Sequence, residues 1–275
     1  MSGDARNILR ALLIQPRLCW QDPDENRAQL EAQIDRALHE TDGADLIIVP
    51  ETFTTGFLGD ADREPESMDG DTVAWMADVA RRRNAAITGS VVMGEDGARF
   101  NRMLFVTPEG DIHHYDKRHL FAYGGEHKRY KAGTRRVVVR YRGWRICLQV
   151  CYDLRFPAWC RNQGDYDLML FVANWPAKRI TAWTALLMAR AIENQAYVIG
   201  VNRVGEDGNG IAYPGQSAAF DALGEELASL GDDVASVIVE LDLAALKDVR
   251  DELPFLADAD RFEIWGHEIW GQNKN

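Results

Sequence analysis

Short apolar runs, separated by segments whose apolar residues recur every third or fourth position, constrain this chain more than any other feature. Residues 8–14, 46–49, 87–93, 168–173 and 197–204 have the length and the Val, Ile and Leu content of buried strands. Between them, residues 24–40 place Leu30, Ile34 and Leu38 on one helical face, and residues 72–83 do the same with Val73, Met76, Val79 and Ala80. Trp183, Leu187, Ala191 and Gln195 mark a third helix over 181–194, and Pro157 suits the first turn of a short one. Three antiparallel hairpins are predicted: 103–106 with 112–115, 137–141 with 145–150, and 217–220 with 234–241 around Leu223-Gly224-Glu225. No internal repeat is visible. Hairpins mixed with strand–helix alternation predict an α/β fold with two sheets, each covered on its outer face by helices: a four-layer α-β-β-α sandwich.

With 275 residues, 46 % of them hydrophobic, the chain can bury a full core without disulfides or structural metal. No linker-like stretch divides it, so one domain over 1–275 is expected, with a tail from about residue 251. Forty-three acidic against thirty-one basic residues give a net charge of −12, which repels phosphate backbones and anionic membranes. Neither nucleic acid nor membrane is an expected partner. The absence of a signal-like or spanning apolar run adds a cytoplasmic location to these expectations. Cys19, Cys147, Cys151 and Cys160 form no Cys-x-x-Cys pair and read as free thiols.

Reactive side chains stand at the ends of three of these runs. Glu51 follows Leu46-Ile-Ile-Val-Pro, Lys117 follows Ile112-His-His-Tyr-Asp, and Cys151 follows Ile146-Cys-Leu-Gln-Val. In helix-covered sheets, ligands gather at the carboxyl ends of strands. Cys147, inside its strand, reads as core. Cys151 ends that strand and precedes Tyr-Asp-Leu-Arg-Phe-Pro, a strand-to-helix elbow that exposes a nucleophile and aims the Tyr152 N–H at a bound carbonyl oxygen. Glu51, set between apolar segments, suits a general base. Arg155 either meets a substrate carboxylate through a bidentate fork or braces the elbow. His119 offers a Cys–His alternative, which sequence spacing does not separate from a Glu–Lys–Cys device.

These segments resemble the nitrilase superfamily of carbon–nitrogen hydrolases. Its three signatures stand in order as Val49-Pro50-Glu51-Thr52-Phe53, Tyr115-Asp116-Lys117-Arg118-His119-Leu120-Phe121 and Val150-Cys151-Tyr152-Asp153-Leu154-Arg155-Phe156-Pro157. The resemblance implies the α-β-β-α sandwich, Cys151 as nucleophile, Glu51 moving protons, Lys117 stabilising an oxyanion, and no cofactor or metal. It also implies a second glutamate in Gly124-Gly125-Glu126-His127, so Glu126 is a supporting residue, and a homodimer, for which Trp265 and Trp270 are candidate contacts. Ala173-Asn174-Trp175-Pro176-Ala177, the run 189–195, and Val201-Asn202-Arg203-Val204-Gly205 through Gly210 resemble the omega-amidase group, which implies small alpha-keto acid amides as substrates. The same triad serves nitrile and N-carbamoyl hydrolases, and a non-catalytic thiol protein on this scaffold is the contrasting class.

Overall fold

The computed structural model describes residues 7–39, 41–59, 63–260 and 262–264. Its first half runs β1 (Ile8–Gln15), α1 (Pro23–His39), β2 (Leu46–Ile48), α2 (Asp71–Arg83), β3 (Ala86–Glu95), β4 (Ala98–Val106) and β5 (Ile112–Asp116). The second half opens with β6 (Val138–Tyr141), β7 (Trp144–Val150), α3 (Pro157–Cys160), β8 (Leu168–Val172), α4 (Ile180–Asn194) and β9 (Tyr197–Val201). It continues with β10 (Val204–Glu206), β11 (Ala212–Pro214), β12 (Ala218–Phe220), β13 (Glu226–Ser229), β14 (Ala235–Asp242) and α5 (Leu243–Glu252).

Period-two burial builds the layers. Along β1, Leu9, Ala11 and Leu13 face the second sheet, while Leu12 and Ile14 face Leu30 and Ile34 of α1. The same switch separates Leu46 and Ile48 from Ile47, and Met103 and Phe105 from Leu104 and Val106. Beyond the second sheet, Trp183, Leu187 and Ala191 of α4 close the core from outside. The result is the expected α-β-β-α sandwich. α2 ends where Asn84 adopts a left-handed φ of 47° and its N–H returns to Ala80 and Arg81, with three arginines in the last turn facing the negative end of the helix dipole.

Strand order is β14-β1-β2-β3-β4-β5 in one sheet and β13-β12-β9-β8-β7-β6 in the other. In each, three parallel strands are flanked by one antiparallel strand on one side and two on the other. The topology therefore repeats where the sequence does not, because apolar alternation specifies a strand without specifying particular residues. β2 and β8 occupy equivalent central places.

Two expectations need correction. The segment 217–220 does not pair with 234–241: Leu223-Gly224-Glu225 turns the chain into β13, which pairs with β12, whereas β14 crosses to the other sheet and runs antiparallel to β1 from Ile8↔Asp242 to Gln15↔Ala235. β13 is mostly exposed and lacks an apolar signature, while β1 offers a partner of eight residues. The expected strand over 197–204 stops at Val201, because the Asn202 side chain leaves the ladder to donate to Trp175 O at 3.0 Å and Gly215 O at 2.8 Å. Trp265 and Trp270 lie outside the described residues.

Gln15, fully buried at the end of β1, fastens the sheets to each other. Its Nε2 donates to Gly231 O and Asp233 O, both at 2.8 Å, and its Oε1 accepts from Ser217 N at 2.9 Å. Gln15→Leu keeps the volume and strands these three groups, so chemical denaturation should show a loss of about 3 kcal/mol with an unchanged m-value.

Candidate active site

Four loops meet at the carboxyl ends of β2, β5, β7 and β8. Glu51 follows β2, Lys117 is the first residue after β5, Cys151 the first after β7, and Asn174 follows β8. Lys117 stays in the ladder through its N–H to Asn101 O at 2.9 Å. Its Nζ donates to Glu51 Oε1 at 2.8 Å and to both carboxylate oxygens of Glu126 at 3.0 Å. All three side chains are at 0 % exposure. The structure thus brings Glu51, Lys117 and Glu126 into contact, close enough to Cys151 for their charges to act on its thiol.

Residues that pattern reading passed over complete this arrangement. Asn101, on the inward face of β4 with Met103 and Phe105, donates to Glu51 Oε1 at 2.8 Å and Glu126 Oε1 at 3.1 Å. The polar run Arg99–Asn101–Arg102 hides this part of β4. Asp96-Gly97, both at positive φ, is the hairpin signal that would have found it. Asn174 gives its backbone N–H to Glu51 Oε2 at 2.8 Å and its side-chain amide to Glu51 O at 2.7 Å, joining the two central strand ends across the sandwich. Glu126 Oε2 also accepts the Phe121 N–H at 2.5 Å.

Cys151 sits at the elbow with φ 44°, a left-handed conformation strained for a residue with a Cβ. Asp153 holds that turn: its Oδ2 accepts Val150 N at 3.0 Å and Tyr115 OH at 2.8 Å, and its Oδ1 accepts His119 N at 2.9 Å. The His119 ring spends its Nδ1 on the same oxygen at 2.7 Å and stacks on Phe156. His119 therefore braces the elbow, and the Cys–His alternative finds no hydrogen bond between ring and thiol among the described residues. Cys147 is core, as expected, with burial pushing its thiol up to about 11.

Electrostatics separates the three groups. Burial pulls the Lys117 ammonium down, but Glu126 and Glu51 outweigh it and hold the lysine charged, above its ordinary range. Burial holds the Glu126 carboxyl up, against the pull of Lys117. Burial, then the Glu51 charge, pushes the Cys151 thiol well above its ordinary range, with Lys117 pulling the other way. Burial and the Glu51 charge thus favour the protonated sulfur, which suits attack assisted by a base.

Cys151, 9 % exposed, forms part of the floor of a cleft of about 810 Å³. Tyr152 and Arg155 line it beside Phe57, Phe121, Trp175 and Arg179, with the β10–β11 ribbon on the rim. The Arg155 guanidinium lies 5.1 Å over the Trp175 ring and lines the cleft, and among the described residues it braces the elbow through no hydrogen bond. Among the described residues no cluster of His, Cys, Asp or Glu could hold a metal ion.

The carbon-nitrogen hydrolase family model matches residues 10–251. The chain is 49 % identical to the omega-amidase YafV of Escherichia coli K12, over 94 % of this chain and 99 % of that protein. It is 31 % identical to the 2-oxoglutaramate amidase of Bacillus subtilis, over 89 % and 95 % respectively. Among solved structures, XC1258 of Xanthomonas campestris, a CN-hydrolase superfamily protein with an arsenic adduct in its active site, superposes with a TM-score of 0.91 at 46 % identity, over 94 % of this chain and all of that one. Fold, strand-end constellation and sequence thus converge, and the chain belongs to the carbon–nitrogen hydrolase family.

Proposed function

We propose that this chain is an amidase that hydrolyses the terminal carboxamide of small alpha-keto acid amides, such as 2-oxoglutaramate and 2-oxosuccinamate, through a cysteine thioester. The observation that carries the reading is a cysteine at the floor of a cleft, near a buried ammonium held between two carboxylates. The omega-amidase and 2-oxoglutaramate amidase names of its relatives support the choice of amide.

In this reading Glu51 takes the Sγ proton as the sulfur attacks the amide carbon and the C=O π pair moves to oxygen. Lys117 has three N–H donors. In the resting site they meet Glu51 Oε1 and both oxygens of Glu126, and one of the two bonds to Glu126 gives way as the ammonium turns a donor toward the new oxyanion. The second donor is the N–H of Tyr152, in the first turn of the 3-10 segment Cys151–Arg155, where amides lack an intrahelical acceptor. Glu51 returns its proton to the departing nitrogen as the C–N bond breaks, and ammonia leaves a thioester. Water then attacks, giving a proton to Glu51, and that proton passes to the sulfur as the C–S bond breaks, freeing the acid and restoring both the thiol and the Glu51 carboxylate. Arg155 meets the substrate's carboxylate. Glu126 and Asn101 act by holding Lys117 and Glu51 in place. No step calls for a metal or an organic cofactor.

The proposal extends to a cytoplasmic homodimer. Among the described residues no helix is long and apolar enough to cross a membrane. Met188 and Ile192 on the outer side of α4, with Leu223, remain 39 %, 48 % and 51 % exposed, an apolar surface of the kind a second copy covers.

Cys151→Ala should abolish ammonia release from 2-oxoglutaramate by more than about 10⁴-fold with an unchanged melting curve. Measurable turnover by that variant would remove Cys151 as nucleophile. Glu126→Gln should lower kcat about 10²-fold, since it loosens Lys117 without touching the thiol; an effect confined to KM would place Glu126 among the substrate contacts. In light scattering, the native chain should have twice the mass of one chain, and Ile192→Asp half that value. A native monomer would end the dimer reading.

A further inference from the structure

The chain is strongly acidic, yet its cleft is not. Among the described residues that line it are Arg129, Arg155, Lys178 and Arg179, with Asp207 as the one carboxylate. Asp207 is occupied by its own ribbon: Tyr213 OH donates to Oδ2 at 2.9 Å, and Asn209 N and Ile211 N to Oδ1 at 2.8 and 3.0 Å. Arg129 is likewise committed, donating to Leu58 O at 2.9 Å. Lys178 is exposed at the rim.

Arg155 and Arg179 differ from these. Both are half-buried, and neither side chain makes a hydrogen bond or ion pair with protein among the described residues. Each instead rests on an aromatic face, Arg155 on Trp175 at 5.1 Å and Arg179 on Phe121 at 4.9 Å. A ring fixes the plane of a guanidinium while leaving its N–H edge free. The platforms are themselves fixed: Trp175 Nε1 donates to Arg179 O at 2.8 Å, and Phe121 packs edge-on against Tyr152 at 5.0 Å, next to the thiol. In a cleft that also presents several aromatic rings, two oriented, unspent guanidiniums form a site for an anion with more than one oxygen.

We propose that Arg179 is a specificity-determining residue, the second half of a two-arginine fork that reads the acid end of the substrate while its amide lies on Cys151. The inference rests on the amidase reading above and adds to Arg155 a partner that lines the same cleft. Carboxylate and neighbouring keto oxygen together offer three acceptors, more than one guanidinium edge can take. Phe121 also joins this subsite to the reaction centre, since the ring beneath Arg179 belongs to the residue whose N–H holds Glu126, and Glu126 holds Lys117.

The test compares the native chain with Arg179→Gln and Arg179→Lys on 2-oxoglutaramate and on pentanamide, a neutral amide of the same chain length. A second measurement follows protection of Cys151 from iodoacetamide by 2-oxoglutarate, read on the Cys151 peptide by mass spectrometry, and needs no turnover. Arg179→Gln should lower kcat/KM for 2-oxoglutaramate about 30- to 100-fold, mainly through KM. That loss should exceed the loss on pentanamide at least tenfold, the half-protecting concentration of 2-oxoglutarate should rise in step, and Arg179→Lys should fall between. Equal losses on both amides, or unchanged protection, would overturn the fork. A native chain that ignores 2-oxoglutaramate while 2-oxoglutarate still protects Cys151 in an Arg179-dependent way would sink the substrate assignment and uphold the fork.

Discussion

Lys117 keeps its charge in the interior because Glu51 and Glu126 meet it there, and the architecture around the site follows from that requirement. A lone buried ammonium or carboxylate costs several kcal/mol, and the attraction within the cluster offsets this only when geometry is good and the remaining lone pairs are filled. Asn101 and the Asn174 N–H fill them on Glu51, and the Phe121 N–H on Glu126. Each donor comes from a different segment. The cluster is satisfied only when β2, β4, β5 and β8 stand in register, so completing the sandwich and charging the site are one event.

Strain is stored beside it. Cys151 and Thr52 both adopt left-handed backbone conformations, at φ 44° and 39°. Each is over-determined by its neighbours: Asp153 ties the Cys151 elbow to the Lys117 loop, and Ser90 Oγ takes the Thr52 N–H at 2.8 Å. Little reorganisation is then left for the chemical step, which is where buried electrostatic sites gain most.

The layers were readable because burial leaves a periodic trace. Leu12 and Leu13 on opposite faces, or Trp183, Leu187 and Ala191 along one side of a helix, announce themselves locally. Glu51, Lys117 and Cys151 were readable as strand-end residues, although only family resemblance joined them in space. Pairing across the chain leaves no such trace: nothing in Val237 or Val239 says that β14 belongs beside β1 rather than β12. Asn101 and Asn174 escaped for a related reason. An asparagine that completes a buried carboxylate looks, in sequence, like any turn or edge residue until the carboxylate is placed next to it. Asp153 was inside a recognised motif and still gave no sign that it binds the elbow to Tyr115 and His119.

The crossing of β14 bears on how the chain is made. β1 is made before the other strands of its sheet, apolar on both faces, with one edge pairing to β2 and the other waiting for a strand that begins 220 residues after β1 ends, as the register Gln15↔Ala235 records. Until then the first sheet presents an unpaired edge, the kind of template that recruits foreign strands. The second sheet can form meanwhile, since its six strands are consecutive apart from the β10–β11 ribbon. A strand made late thus seals one made early, and a chain cut short before β14 is left adhesive at β1. That gives quality control a ready means to distinguish it from the finished enzyme.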